Sequence, residues 1–129
     1  MLWKLYLERI SLMISRKGMI RKLDTIVSKI VRARGYCVYC GSKNNLQCCH
    51  IYTRKFLSTR FDFVNLLCLC ASCHAHFHDK PLELGEFVIK HRTKKEYQDL
   101  KLRANKPRQF TMEELQDLLK RFEELYDPT

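Results

Sequence analysis

The chain predicts an α+β fold, a small cysteine-stapled core of two short strands and a helix, flanked by helices on both sides. Three observations carry this expectation. Two Cys-x-x-Cys pairs, Cys37/Cys40 and Cys70/Cys73, bracket the middle of the chain. Apolar residues recur at helical spacing before the first pair, and two Thr-x-x-Glu boxes mark helix starts after the second. At 129 residues this is one domain, or one small core with appended helices. The segments divide as a basic N-terminal helical arm at 1–36, a core at 37–80 and a C-terminal helical extension at 81–129.

In the arm, Leu23, Ile26, Val27, Ile30 and Val31 fall at i, i+3, i+4, i+7 and i+8, which predicts a helix over 19–34 ending at Gly35. A further helix is expected over 2–14, where Met1, Leu2, Trp3, Leu5, Tyr6 and Leu7 are interrupted by Lys4, Glu8 and Arg9. In the core, strands are expected at 47–51 and 64–69, with a loop at 52–62 between them. A helix at 72–79 presents His74 and His78 on one face, because residues four apart stack on a helix. Pro81 disfavours an uninterrupted helix beyond that point. Thr93-x-x-Glu96 opens a helix running to about Ala104. Thr111-x-x-Glu114 opens the last one, with Phe110 and Leu115 as a hydrophobic staple. The last helix carries Met112, Leu115, Leu118, Leu119, Phe122 and Leu125 on one stripe. That stripe suits packing on the helix over 94–104 or, in a homodimer, on a second copy.

The formal net charge is +10, unevenly placed. Residues 1–36 hold nine Lys and Arg against Glu8 and Asp24, whereas residues 110–129 are net acidic. A basic body with an acidic tail fits a polyanionic partner; a solvated charged face is the bland alternative. Arg21, Lys22, Lys29, Arg32 and Arg34 lie off the apolar stripe and offer phosphate contacts. Arg54, Lys55 and Arg60 do the same from the core loop. No stretch approaches the roughly 18 apolar residues of a membrane span, and no leader-type cleavage site follows the N-terminus. The expectation is a soluble, intracellular chain without membrane partners.

All seven cysteines lie between Cys37 and Cys73. An odd number, paired as Cys-x-x-Cys among histidines, suits metal in a reducing compartment better than disulfides. Cys37, Cys40, Cys70 and Cys73 can close a tetrahedral thiolate cage, which zinc prefers and which leaves no position open for water. Gly41 lets the backbone turn toward the first pair of sulfurs. The 29 residues between the pairs exceed a short ribbon, so something is inserted. The insert contains His50 and Asn65, and His74 and His78 follow it. Cys48 and Cys68 suit the core as small apolar groups, and His76 suits solvent or a nucleic-acid contact.

The order of these residues resembles the His-Asn-His (HNH) endonucleases, the ββα-metal fold. His50 to Asn65 is 15 residues, Asn65 to His74 is nine, and His74 to His78 is four. The run Asn65-Leu-Leu-Cys-Leu-Cys-Ala-Ser-Cys-His-Ala-His-Phe-His78 is similar to the family's second half. The resemblance covers about residues 37–80 and implies a zinc-stapled ββα-metal core. It also implies His50 as the base that activates water, Asn65 as the residue pinning the loop that orients His50, and His74 and His78 as ligands of one divalent cation, Mg²⁺, Mn²⁺ or Zn²⁺. The family often has His or Asp as a third ligand where this chain has Cys49. Two readings stay open: Cys49 is a ligand for a soft cation, or water takes that position. A second resemblance, through Leu23-Asp24, Gln47 to Arg54, Ser58 to Asp62 and Asn65, is to the phage NinG/Rap recombination nucleases. It implies branched DNA such as Holliday junctions or D-loops as substrate, and the interior of a phage-infected or bacterial cell, near the nucleoid, as location. That group commonly has Gly at the position of Cys49 and Cys-Asn where this chain has Cys73-His74. Competing readings are a general nicking or homing-type HNH nuclease, an RNA nuclease or toxin of the same fold, and a zinc-ribbon DNA-binding module without catalysis.

Overall fold

The computed structural model describes residues 2–126, and within the first helix the side chains of residues 2–6 and 9. Met1, the Leu7 and Glu8 side chains, and residues 127–129 at the acidic end lie outside the described residues. The architecture is α+β: helices α1 (Leu2–Met13) and α2 (Arg16–Arg32), strands β1 (Leu46–His50) and β2 (Leu66–Cys70), then α3 (Ala71–Asp79), α4 (Pro81–His91), α5 (Lys94–Ala104) and α6 (Met112–Tyr126). The chain forms two compact units, one from the segment up to Ile30 together with the segment from Phe110, the other from Val31–Gln109.

The first unit holds α1, nearly all of α2, and α6. Met19, Leu23 and Val27 are the buried residues of α2, and their i, i+4, i+8 spacing makes one stripe. Leu115, Leu119 and Phe122 do the same on α6. The Thr111/Glu114 capping box forms, with both reciprocal backbone bonds at 3.1 Å, and the staple residues Phe110 and Leu115 are buried. The Arg16 guanidinium donates to the Phe110 carbonyl and ties the start of α2 to the start of α6. The apolar stripe of α6 thus serves the unit it shares with the N-terminal helices. Gly35, with φ of 88°, follows the last turn of α2 and donates to the Arg32 carbonyl at 3.1 Å.

In the second unit β1 and β2 pair antiparallel, in register from Leu46↔Cys70 to His50↔Leu66. Gln47, Cys49, Leu67 and Leu69 therefore share one face, and Cys48, His50, Leu66 and Cys68 the other. The core joins Cys49, Leu67 and Leu69 to Phe77 of α3 and Val88 of α4, with Cys37 and Cys70. The Tyr39 ring stands near-perpendicular to both Phe77 and Phe87, at 4.9 and 5.1 Å between centroids. The sequence signals two capped helices after Pro81; the structure has three. Pro81 sits in the first turn of α4, where its missing N–H costs nothing, so it starts a helix instead of only stopping one. The Thr93/Glu96 capping box of α5 is present.

The 51–65 connection is folded against its surroundings by short 3₁₀ turns at Leu57–Thr59 and Phe63–Asn65. The Ser58 hydroxyl donates to the Arg103 carbonyl at the end of α5 (2.7 Å), and Arg103 Nε donates to Asp62 Oδ2 (2.7 Å). Arg92, just after α4, donates to the carbonyls of Val64 (3.4 Å), Phe63 (3.4 Å) and Leu66 (3.0 Å). The helical extension thus braces the loop that joins the two strands.

Candidate functional site

The cysteine cage is assembled from two backbone turns. Cys37–Gly41 closes a tight turn in which Gly41 N–H donates to the Cys37 carbonyl (2.9 Å) and Cys37 N–H to the Ser42 carbonyl (2.7 Å). Gly41 has φ of 80°, a conformation a Cβ would resist. The turn exposes the Ser42 amide to Cys40 Sγ at 3.5 Å. Val38 N–H donates to the Cys68 carbonyl (2.9 Å), which docks this turn on β2. Cys70 ends β2 and is the N-cap of α3, where its Sγ accepts from Cys73 N–H at 3.5 Å. Amides and the positive end of a helix both favour thiolate sulfur.

The ligand atoms of Cys37, Cys40, Cys70 and Cys73 all lie within 4.8 Å of one another, and among the described residues no other group of three or more His, Cys, Asp or Glu side chains does so. Cys40 Sγ and Cys70 Sγ are 3.7 Å apart, and every cysteine is free. A disulfide would need about 2.05 Å. A zinc ion at about 2.3 Å from each sulfur sets tetrahedral edges of about 3.8 Å, so the spacing fits a tetrathiolate ion. Burial works to raise the Cys37 thiol, but hydrogen bonds from the Cys40, Cys70 and Tyr39 backbone outweigh it and hold it at about 6. Burial, and bonds from the other three thiols, push Cys73 strongly up. Four packed thiols cannot all ionise unaided; a dication removes that conflict. The four cysteines can therefore hold a structural metal ion such as zinc.

A second feature lies on α3. His74 and His78 line an open pocket of about 400 Å³ together with Gln47, Ala71, Ala75 and Asp79. Gln47 Oε1 is 2.7 Å from His74 Nδ1. Burial, then the neighbouring His78 and Arg54, lower the pKa of His74 below its usual value, so the ring is neutral near pH 7. Neither Cys49 nor His50 lines this pocket. Cys49 packs in the core, where burial pushes its thiol up to about 11. His50 ends β1, half-buried, with its Nε2 buried, and strand alternation sets it on the face opposite Gln47 and Cys49.

The chain matches no protein-family model, no curated protein and no solved structure.

Asn65 is fully buried at the end of the second 3₁₀ turn. Its Oδ1 accepts from Tyr52 N–H (2.7 Å), and its Nδ2 donates to the carbonyls of Tyr52 (3.0 Å) and Thr59 (3.1 Å). One carboxamide thus clamps the backbone two residues beyond His50. His76 is exposed and pairs with Glu83 at 2.6 Å. Of the two remaining cysteines, Cys68 is buried and Cys48 half-buried.

Arg54 and Lys55 are exposed on the loop, and the half-buried Arg60 donates to the Arg54 carbonyl at 3.3 Å. Arg32 and Arg34 are exposed, with the Arg34 guanidinium 5.1 Å from the Tyr36 ring centroid and bonded to its hydroxyl at 3.2 Å. In the first unit, Arg21, Lys22, Thr25 and Lys29 line a groove of about 400 Å³ with Leu119 and Glu123. Among the described residues no helix is long and apolar enough to cross a membrane.

Gln47 and Asp79 are residues that motif reading missed. Gln47 could have been found by counting back two from Cys49 on a strand, which gives the same face. Asp79 directly follows His78 at the end of α3.

Proposed function

We propose that this chain is a metal-dependent endonuclease hydrolysing DNA phosphodiester bonds from a zinc-stapled ββα core. The observation that carries the reading is the Asn65 clamp on the backbone after His50, in a hairpin that runs directly into a helix whose His74 and His78 share one pocket. Hydrolysis needs a base for water and a cation to hold charge on the phosphorane and leaving oxygen. His50 is the base in this reading, and its buried Nε2 leaves Nδ1 as the nitrogen that takes the proton. His74 and His78 would hold the divalent cation, which would supply charge stabilisation at the scissile phosphate. The buried thiol of Cys49 stays protonated, so in this reading water takes the third position on the cation. Arg54 beside His74, with Lys55 and Arg60, supplies phosphate contacts, and the +10 charge supplies the general attraction to nucleic acid.

A second reading, a zinc-stapled DNA-binding module without catalysis, is favoured by one observation: His50 lies outside the pocket of His74 and His78. The two separate in one experiment. Supercoiled plasmid is incubated with zinc-loaded protein and added Mn²⁺, Mg²⁺ or Zn²⁺. Nicking by the wild type that is lost in His50→Ala, with binding retained, supports the nuclease; binding without nicking under every metal supports the module. Selectivity for branched DNA is the finer form of the first reading. It calls for two paired cuts and hence two copies related by a two-fold axis.

A further inference from the structure

At the mouth of the α3 pocket the sheet reaches toward the helix through a polar contact. Gln47 stands on the same face of β1 as Cys49, but it is exposed where Cys49 is buried. Its Oε1 is 2.7 Å from His74 Nδ1. A carboxamide oxygen only accepts, so the ring nitrogen facing it carries the proton. That leaves His74 Nε2 with the lone pair, on the ring that lines the pocket together with His78. A neutral imidazole left to itself favours the opposite tautomer, with its proton on Nε2. The hydrogen bond made by one ring nitrogen decides which nitrogen the other partner can use.

We propose that Gln47 is the positioning residue of this pocket: it holds His74 as the Nδ1–H tautomer and thereby presents Nε2 to a transition-metal ion. The donors set the metal class. Neutral imidazole nitrogens favour Zn²⁺, Co²⁺ and Ni²⁺ over Mg²⁺, which prefers oxygen and keeps its waters. The inference rests on the nuclease reading only for what the metal does; the binding stands without it. Asparagine at this position would be one methylene too short to keep the contact from the same backbone, whereas glutamate would accept the same proton more strongly.

The test uses the full zinc-loaded chain without nucleic acid. Long-range ¹H–¹⁵N correlation at pH 7.5 reads the His74 tautomer, and Ni²⁺ titration reads the pocket, with His74→Ala defining its share of the binding. The expected results are an Nδ1–H tautomer in the wild type, a shift to Nε2–H in Gln47→Ala with roughly a tenfold loss of Ni²⁺ affinity, and both properties kept in Gln47→Glu. A wild-type His74 protonated on Nε2 would overturn the proposal. So would a Gln47→Ala chain with the wild-type tautomer and affinity, or a Gln47→Glu chain that loses both. Zinc content and the amide spectrum of each variant report folding. If these results come out as expected and no phosphodiester is cut, the nuclease reading fails and the role of Gln47 stands.

Discussion

Asn65 shows how much one buried carboxamide can organise. It bonds the Tyr52 amide and carbonyl, and it adds a second donor to the Thr59 carbonyl, which also accepts from the Asp62 amide. Asn65→Ala is expected to lower stability by about 1–3 kcal/mol, measured by urea unfolding, because Tyr52 N–H loses its partner. Asn65→Asp should not rescue it, since a carboxylate cannot donate to the Tyr52 and Thr59 carbonyls. Cys49 carries a second expectation. Its thiol is raised by burial to about 11 against an ordinary 9.0. A raised acid contributes stability below pH 9 and loses it as pH climbs toward 11, because the unfolded chain ionises first. Cys49→Ala should therefore flatten the alkaline loss of stability across that window by on the order of 2–3 kcal/mol relative to the wild type. A Cys49 that ligated metal would titrate low instead, and substitution would cost metal affinity.

At the scale of elements, the two Cys-x-x-Cys turns meet at one end of the antiparallel strand pair, where Leu46 faces Cys70, and hold the second unit together there. The first precedes β1, and the second joins β2 to α3. Metal binding there is folding energy, so chelation with a strong competitor, or Cys40→Ser, should unfold the Val31–Gln109 unit, read by loss of amide dispersion. Metal-free protein with an unchanged fold would count against the cage. Acid should act in the same direction, since Cys37 favours its thiolate only above about 6. The capping box of α5 gives a milder case. Thr93→Ala removes the bond from Glu96 N–H to the Thr93 hydroxyl, while the backbone N–H of residue 93 can still donate to Glu96 Oε1, and it should lower the melting temperature by a few degrees. Glu96 is held below its ordinary value by the Thr93 backbone and hydroxyl, so its part is complete above 4.5 and fades as pH falls further.

For the whole molecule the charge distribution is the governing quantity. Arg21, Lys22 and Lys29 line one groove on the first unit, and Arg54 and Lys55 stand exposed on the loop of the second. Each phosphate contact adds roughly 0.9 to the slope of log affinity against log salt on duplex DNA. Charge reversal at Arg21, Lys22 and Lys29 together should weaken binding and flatten that slope by up to about 3, as measured by fluorescence anisotropy across a salt series. An unchanged slope would mean the groove faces away from the nucleic acid. The α6 stripe bears on assembly. Its inner residues are buried within the first unit, and only Leu125 and Tyr126 at its end remain exposed, at 65% and 44%. That leaves little of the helix for a dimer.

The helix periodicities, the capping boxes and both Cys-x-x-Cys pairs were legible in the chain because each is a local relation. Spacing of 3.6 or 2 residues, a cap three residues from its partner, and a thiolate pair three apart need no knowledge of the rest of the molecule. Asn65 as a clamp is expected from the family resemblance alone, because its burial and its bonds to Tyr52 and Thr59 are set by the folded loop. What the sequence could not settle were relations between elements. That α6 joins the N-terminal helices depends on which apolar stripes meet, and several pairings suit the same pattern. Pro81 was ambiguous because the residue that ends one helix is also suited to begin the next. Adjacent in sequence, Cys49 and His50 project to opposite faces, and only the register with β2 shows which face the core claims. For the same reason Gln47, absent from the His-Asn-His pattern, is the strand residue that reaches His74, a contact made across 27 residues of chain by tertiary packing.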